Sequence, residues 1–336
     1  MKYVYCKSSN PFEISSFIGD VDIALVNGYK EISDEDYEKL VKHQLRWENE
    51  ELVENNDAST DDGKEVGIIF GLYDLSHTKK LIDAFFDKGY RVVALSNTQL
   101  RGRDFKKLVF VFNADGYMYN YIKKIKPNTK FVGKDSRCEI CNDKWKTYEL
   151  LKGQDIPQPL TSLASEDITY PKLIKARRGS FGEGIFLVNN EEEEYQILSM
   201  CDPKLIMYQE YIGASKGRDI CVYVLNGECI AAMKRENGSE NEFRSQTIYG
   251  AEATAYELSD AEKALSIKIA DTIGIPFCSI NYLIDKDGTL KVCDVNSNPG
   301  LDVIQEATGV DVASKYVDYL INYVGLTSED KINVAR

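Results

Sequence analysis

Residues 287–301 read Asp-Gly-Thr-Leu-Lys-Val-Cys-Asp-Val-Asn-Ser-Asn-Pro-Gly-Leu. Asp287-Gly288 is a turn signal, and the alternating residues after it predict a strand that ends at Asp294-x-Asn296 before an Asn-Pro-Gly turn. Residues two apart on a strand share a face, so Asp294 and Asn296 present two oxygen ligands side by side. Mg²⁺ takes oxygen ligands from one or two carboxylates and completes its shell with phosphates and water. A strand that merely ends in polar residues before a turn has the same appearance, so the motif acquires meaning only from the rest of the chain.

Residues 171–185, Pro-Lys-Leu-Ile-Lys-Ala-Arg-Arg-Gly-Ser-Phe-Gly-Glu-Gly-Ile, supply that meaning. An apolar strand carrying Lys175 runs into a loop with Gly179, Ser180, Gly182 and Gly184. Glycines leave backbone N–H groups accessible and free to close over phosphates. No Gly-Lys-Ser/Thr follows, which excludes a P-loop, and Ile185–Val188 reads as a second strand rather than a helix, which excludes a dinucleotide fingerprint. The pattern suits a lid over nucleotide phosphates; an ordinary glycine hairpin is the alternative.

Six further segments accompany these two: Asn142-Asp-Lys-Trp-Lys-Thr147, Ile156-Pro-Gln-Pro-Leu-Thr161, Gln209-Glu-Tyr-Ile212, Gly217-Arg-Asp-Ile220, Ala232-Met-Lys-Arg235 and Phe243-Arg-Ser245. In this order and spacing, residues 141–325 resemble the ATP-grasp superfamily and, within it, the RimK-like amino-acid (glutamate) ligases. The resemblance implies an α/β fold: a parallel-sheet pre-ATP-grasp domain followed by a two-lobed α+β ATP-grasp module, here preceded by a small N-terminal appendage without counterpart in the family pattern. It implies ATP and Mg²⁺, with Mn²⁺ as a substitute. It also implies phosphorylation of a carboxylate by ATP and attack of an amine on the acyl phosphate. The partners would be an amino acid and an amine or carboxylate acceptor on a peptide, a protein tail or a small molecule.

The resemblance also distributes roles. Lys144 and Lys175 would hold phosphates beneath the Gly179–Gly184 loop. Glu210, Tyr211 and Ile212 would form the interdomain hinge around adenine and ribose, with Asp219 closing that segment. Lys234, Arg235 and Arg244 would hold the γ-phosphate, the acyl phosphate and the substrate carboxylate, with Ser245 and Gln246 beside them. Arginine suits such a place because its fork binds carboxylate or phosphate bidentately. Asn281, Asp294 and Asn296 would face the metal. Four positions depart from the pattern: Asn281 stands for a usual Asp, Asp294 for a usual Glu, Cys221 for an Arg and Gln246 for an Asn. These departures keep two other readings open, a nucleotide-binding pseudoenzyme with a decayed metal site and a small-molecule, dipeptide-type ligase.

Composition fits a cytoplasmic enzyme. The chain has 336 residues, 43% hydrophobic and 28% charged, enough for two or three packed domains. No apolar run approaches the roughly 18 residues that span a bilayer, and Met-Lys-Tyr-Val-Tyr-Cys-Lys lacks a signal-peptide core. Net charge is −13; residues 1–65 hold 7 basic and 16 acidic side chains and account for −9 of it. Such a balance argues against nucleic acid, whose phosphates need clustered Lys and Arg. Eight cysteines without a leader suggest reduced thiols, and Cys138-x-x-Cys141 reads as packing rather than zinc because only His43 and His77 could complete a site. A homo-oligomer is compatible with this composition.

The pattern divides the chain into an acidic appendage and linker (1–65), a pre-ATP-grasp unit (66–135), an ATP-grasp module (136–327, lid lobe about 160–210) and a tail (328–336). Expected elements include a strand at 2–7, a helix from Ser33 through Leu45, and a polar linker over 48–65. Strands follow at 66–70, 91–95 and 108–112, with helices opening at Ser76 and spanning 117–125. Glu191–Glu194 predicts an exposed helix start. Leu225-Asn-Gly-Glu228 predicts a tight hairpin. Ser259-Asp-Ala-Glu262 predicts a capping box before a core stripe of Ala261, Leu265, Ile269 and Ile273, and Val317–Val324 predicts a helix docked on the domain rather than on a membrane.

Overall fold

The computed structural model describes residues 2–5, 15–17, 30–32, 45–48, 51–54, 66–69, 75–90, 92–95, 107–110, 123–124, 130–132, 135–179 and 182–331. Contacts divide the chain into Met1–Gly63 and Lys64–Arg336. In the first unit, β1 (Lys2–Tyr5) pairs antiparallel with β2 (Ser15–Phe17) and β3 (Lys30–Ile32), and β4 (Leu45–Glu48) pairs with β5 (Glu51–Glu54). The hairpin corrects the expected linker at Glu48 and at Glu51–Glu54, where Leu52 is the register partner of Trp47; the rest of the 48–65 linker lies outside the described residues. Leu45 opens a strand rather than closing a helix, and the rest of the expected 33–45 helix lies outside the described residues.

The second unit begins with the parallel sheet expected from strand–helix–strand alternation. Its order is β7 (Val92–Leu95), β6 (Val66–Ile69), β8 (Lys107–Phe110), β9 (Lys130–Phe131). Helix α1 (Leu75–Asp87) starts one residue before Ser76, which therefore lies inside the first turn rather than at the cap. Of the expected helix at 117–125, only 123–124 are described. The 3.6-residue period of α1 puts Leu81, Ala84 and Phe85 on one buried side.

Helices α2 (Asp135–Asn142) and α3 (Lys144–Lys152) lead into an antiparallel lid sheet, ordered β10 (Thr161–Ser162), β13 (Ile206–Glu210), β11 (Lys172–Ala176), β12 (Ile185–Val188), with α4 (Glu191–Leu198) against it. The glycine loop joins β11 to β12. A five-stranded antiparallel sheet follows, ordered β16 (Glu252–Ala255), β15 (Glu228–Glu236), β14 (Arg218–Leu225), β17 (Phe277–Ile284), β18 (Leu290–Asn296). Helices α5 (Asp260–Ile273), α6 (Asp302–Thr308) and α7 (Val312–Val324) complete the chain. Asn226 and Gly227 take positive φ between β14 and β15, as a two-residue hairpin with right-handed strand twist requires.

Both faces of the large sheet are covered, which explains its nearly continuous apolar strands. Ile220, Val222 and Val224 point into one core with Ile269, Ala270 and Ile273 of α5. Cys221, Tyr223 and Leu225 alternate to the other face and share a core with α1, α6 and α7. Val317, Leu320 and Val324 are buried there, so α7 docks on the domain. The Ser259–Glu262 capping box forms, but Ala261 in the first turn is exposed; the buried stripe runs instead through Ser266, whose hydroxyl hydrogen-bonds the Tyr282 hydroxyl at 2.7 Å. Among the described residues no helix is long and apolar enough to cross a membrane.

The expectation of an exposed acidic start at 191–194 holds at Glu191 and Glu192 and is corrected at Glu194. Asn190 caps α4, but Glu194 is buried. Its carboxylate lies 2.9 Å from the Lys172 ammonium and accepts hydrogen bonds from Ser165 and Tyr170. The Lys172 ammonium also sits over the Tyr170 ring, 4.3 Å from its centroid. Four successive glutamates look alike in sequence; helix periodicity turns only the fourth inward.

Candidate functional site

Asp143 builds one wall of the site. Its carboxylate caps α3 by accepting from the Trp145 and Lys146 backbone N–H groups, and it holds the Arg177 guanidinium bidentately at 3.2 and 2.6 Å. Burial pushes its carboxyl up, and Arg177 with the two N–H groups outweighs that and holds it below the usual range. Lys144, the first helical residue, sits where this clamp ties α3 to the base of the glycine loop: its backbone N–H donates to Arg177 O at 2.9 Å. Arg178 adds a second tie through an ion pair with Glu139.

The Lys144 ammonium donates to Gly179 O at 3.0 Å and lies 3.2 Å from Asp294 Oδ1. It thus joins the lid loop to the proposed metal carboxylate. Lys175 on β11 is buried and donates to Gln209 Oε1 at 3.1 Å, while Gln209 Nε2 donates to Thr161 Oγ1. Burial holds the Lys175 amine below its usual pKa; Lys144 lowers it further, and Cys293 and Asp294 oppose the shift. A lysine with so little water has been placed for a partner other than solvent.

Asn281 and Asp294 are register partners on β17 and β18, followed by Ser279 and Asn296 along the same face. The register slips between Asn281 and Tyr282, leaving Cys293 without a cross-strand partner, and such a bulge re-aims neighbouring side chains. Burial raises the Cys293 thiol to about 12, so it stays neutral. Asn281 Oδ1 accepts from Arg235 at 3.3 Å, and Asn296 Oδ1 accepts from the Asn298 N–H at 2.9 Å. Asp294 is therefore the single carboxylate of this set. One carboxylate fits a Mg²⁺ ion that arrives with nucleotide phosphates, which supply the remaining oxygens.

Arg235 is bound bidentately by Asp219 at 2.8 and 2.5 Å, and both side chains are largely buried. Cys221 follows Asp219 on that face, and burial holds its thiol neutral by raising it to about 12. Lys234 is different. Its register partner is Ile220, so it belongs to the opposite face of the sheet from Arg235, Asn281 and Asp294, and its ammonium lies 2.8 Å from Glu236. The structure does not bring Lys234 to the other site residues.

At the hinge, Glu210 exchanges backbone and side-chain bonds with Leu160, and its carboxylate reaches Lys291 at 3.4 Å. Ile212 is buried, and Tyr211 packs edge-on against Phe243 at 6.4 Å. Phe243, Arg244, buried Ser245 and Gln246 form a loop held at its base by Gly217 and Asn237. Its tip meets the glycine loop: a Cβ on Gly182, at φ +77°, would stand 2.7 Å from Gln246 Oε1, and one on Gly184, at φ +67°, would stand 2.8 Å from the Ala176 Cβ. Ser180 lies outside the described residues.

Several site residues escaped the sequence reading. Gln209, Glu242 and Lys291 partner the expected Lys175, Arg244 and Glu210, while Asp143 and Glu139 partner Arg177 and Arg178, to which the sequence reading assigns no place in the site. The visible signal was the pair Arg177-Arg178 directly before the glycine loop, two cations that need partners. The two thiols of Cys138-x-x-Cys141 are buried, and among the described residues no group of three His, Cys, Asp or Glu side chains could hold a metal.

This geometry meets its counterparts among known proteins. The chain is 32% identical over 190 residues to a Legionella pneumophila protein named "Probable alpha-L-glutamate ligase", covering 53% of this chain and 62% of the relative. The chain thus spans about three fifths of the curated relatives it matches. A RimK domain ATP-grasp protein from Sphaerobacter thermophilus aligns over 76% of this chain and 99% of its own, with TM-score 0.57 and 19% identity. The ATP-grasp ligase PsnB, solved with a minimal precursor, Mg and ADP, aligns over 79% and 99%, with TM-score 0.60 and 13% identity. At such identities these two establish the fold alone. The RimK-like ATP-grasp domain profile matches residues 141–320, more than half of the chain. The chain belongs to the RimK-like ATP-grasp family.

Proposed function

We propose that the chain is an ATP-dependent carboxylate–amine ligase that joins an amino acid to a peptide, protein or small acceptor. The carrying observation is the Lys144 ammonium, poised between Gly179 O of the lid loop and Asp294 at 3.0 and 3.2 Å, with buried Lys175 nearby. Cations converge there in a chain whose net charge is −13, as expected of a place that receives a polyphosphate.

In this reading a carboxylate oxygen of one substrate attacks the γ-phosphorus of ATP. The bond from that phosphorus to the bridging oxygen breaks, ADP leaves, and an acyl phosphate remains. An amine nitrogen then attacks the acyl carbon, the carbon–oxygen bond to phosphate breaks, and the nitrogen gives up a proton. Lys144 and Lys175 hold phosphates, and Gly179, Gly182 and Gly184, with Ser180, let the loop close and exclude water. Glu210, Tyr211 and Ile212 line the base and ribose, with Asp219 acting by fixing Arg235. Arg235 and Arg244 neutralise the transferring phosphoryl group and the substrate carboxylate, flanked by Ser245 and Gln246. Asp294, with Asn281 and Asn296 alongside, would hold Mg²⁺, which supplies charge neutralisation when bound. Positioning and charge do most of the work, which agrees with a chain holding only two histidines.

The engagement of Asn281 by Arg235 favours one rival, a protein that binds nucleotide without ligating. Incubation with ATP, Mg²⁺ and pooled amino acids, followed by mass spectrometry, decides between them. Amino-acid-dependent ADP release with a new amide product supports the ligase; nucleotide binding without ADP release supports the rival. A panel of peptide and small-molecule acceptors then separates the acceptor classes.

A further inference from the structure

Both arginines expected to meet anions already carry a carboxylate of their own chain, but the two pairs differ in kind. The Asp219–Arg235 pair is buried and tied to Asn281, so breaking it would strand charge away from water. The Glu242–Arg244 pair is only partly buried, with side chains 19% and 25% exposed. Glu242 accepts three bonds from one residue: the Arg244 backbone N–H at 2.8 Å, Nε at 2.9 Å and Nη2 at 2.7 Å. Its carboxylate thereby fills the bidentate fork, the geometry in which guanidinium binds a carboxylate ligand.

The rest of the loop holds Arg244 without Glu242. The Arg244 Cζ sits over the Tyr249 ring, 3.5 Å from its centroid, and Asn237 Nδ2 donates to Arg244 O at 3.4 Å and Tyr249 O at 2.8 Å. Gly217 N–H donates to Phe243 O at 2.9 Å. A single residue, Phe243, separates Glu242 from Arg244 in sequence, so the acid travels with the fork whatever the lid does, at a high effective concentration.

We propose that Glu242 is an internal stand-in for the carboxylate of the substrate, occupying the Arg244 fork until an acidic ligand displaces it. The proposal rests on Arg244 as the carboxylate-binding residue of the ligase reading. It makes Glu242 a specificity-determining residue: ligands with a negatively charged carboxylate must outcompete it, and neutral or weakly bound ones are excluded from the fork. The Arg244 guanidinium keeps the Glu242 carboxyl below the usual carboxylate range, so the stand-in stays charged near neutral pH.

The test titrates the full chain with glutarate, a carboxylate probe, and with glutaramide, its neutral counterpart, by calorimetry. Glu242→Gln keeps the shape and removes the charge. It should bind glutarate about fivefold more tightly than the wild type, the size expected on releasing a partly exposed ion pair, with glutaramide unchanged. Glu242→Asp, one methylene shorter, should fall between them and carries the test if the Gln variant does not fold. Mg-ADP affinity serves as the folding control. Glutarate bound no more tightly by either variant, or an equal gain for glutaramide, overturns the stand-in. Arg244→Gln separates the two layers: loss of glutarate binding there upholds Arg244 even if Glu242 fails, whereas wild-type glutarate affinity in Arg244→Gln, or no glutarate binding by any form, removes the Arg244 reading itself and the stand-in with it.

Discussion

Asn281 and Asp294 face each other as register partners on β17 and β18, and the Asn281 oxygen is engaged by Arg235 at 3.3 Å. A neutral amide thus sits between the guanidinium on one side and the lone carboxylate on the other. Among the described residues Asp219 is the carboxylate that pairs with Arg235, and Asp294 is left to Lys144 and to any cation that arrives with phosphate.

Placing a second carboxylate there should strengthen metal binding. Asn281→Asp is expected to lower the Mg²⁺ concentration for half-maximal ADP formation several-fold, roughly 1 kcal/mol of added attraction at a partly solvated pair. Asp294→Asn is expected to abolish nearly all activity. Metal titrations of both variants check this; full activity of Asp294→Asn at low Mg²⁺ would show that the ion sits elsewhere.

Lys175 should separate activity from stability. Lys175→Met is expected to cost about 2–4 kcal/mol of transition-state stabilisation while leaving the fold at least as stable. Burial holds the folded pKa of Lys175 below that of a free lysine. Between those two values the unfolded chain binds a proton that the folded chain has lost, so wild-type stability rises with pH across that window. Denaturant melts from pH 7 to 10 should show the wild type gaining on Lys175→Met as pH increases. Parallel pH profiles would mean that the amine is better solvated than its place implies.

Glu194 should matter to the lid in the opposite sense. Burial raises its carboxyl, but bonds from Lys172, Ser165 and Tyr170 outweigh this and hold it low. Its stabilising effect is present above the unfolded Glu value and is lost as pH falls through the folded value. Glu194→Gln leaves the Lys172 ammonium buried without its counter-charge and is expected to destabilise by about 3 kcal/mol at neutral pH. The variant should also show a flatter acid limb in thermal melts. A variant with wild-type melting temperature would mean that Lys172 finds water or another acceptor.

Removal of residues 1–63 tests the division of the chain. A protein beginning at Lys64 is expected to fold and to gain thermal stability from Mg-ATP. Insolubility, or loss of the nucleotide shift seen with the full chain, would make the acidic segment integral to the enzyme.

Local pattern carried a large part of this structure. The Asn226-Gly227 and Asp287-Gly288 turns, the Ser259–Glu262 cap and the alternation of β14 rest on interactions spanning a few residues, so they are readable from spacing. The same alternation separates Lys234 from Arg235, since adjacent strand residues point to opposite faces, although both belong to one family-like segment. Periodicity failed where tertiary context chose among equivalent residues. Glu194 turned inward while its three predecessors did not, and Ala261 was left outside the core.

From the sequence alone came the residue types of the candidate site, the turns that bring Asn281 opposite Asp294, and the family. Their partners were decided by the tertiary structure. Asp143 meets Arg177 and Lys175 meets Gln209 across 34 residues, and Arg235 reaches Asn281 across 46. Which charge neutralises which depends on where separate elements pack and on how much water they exclude, and neither quantity is written in the spacing of neighbours along the chain.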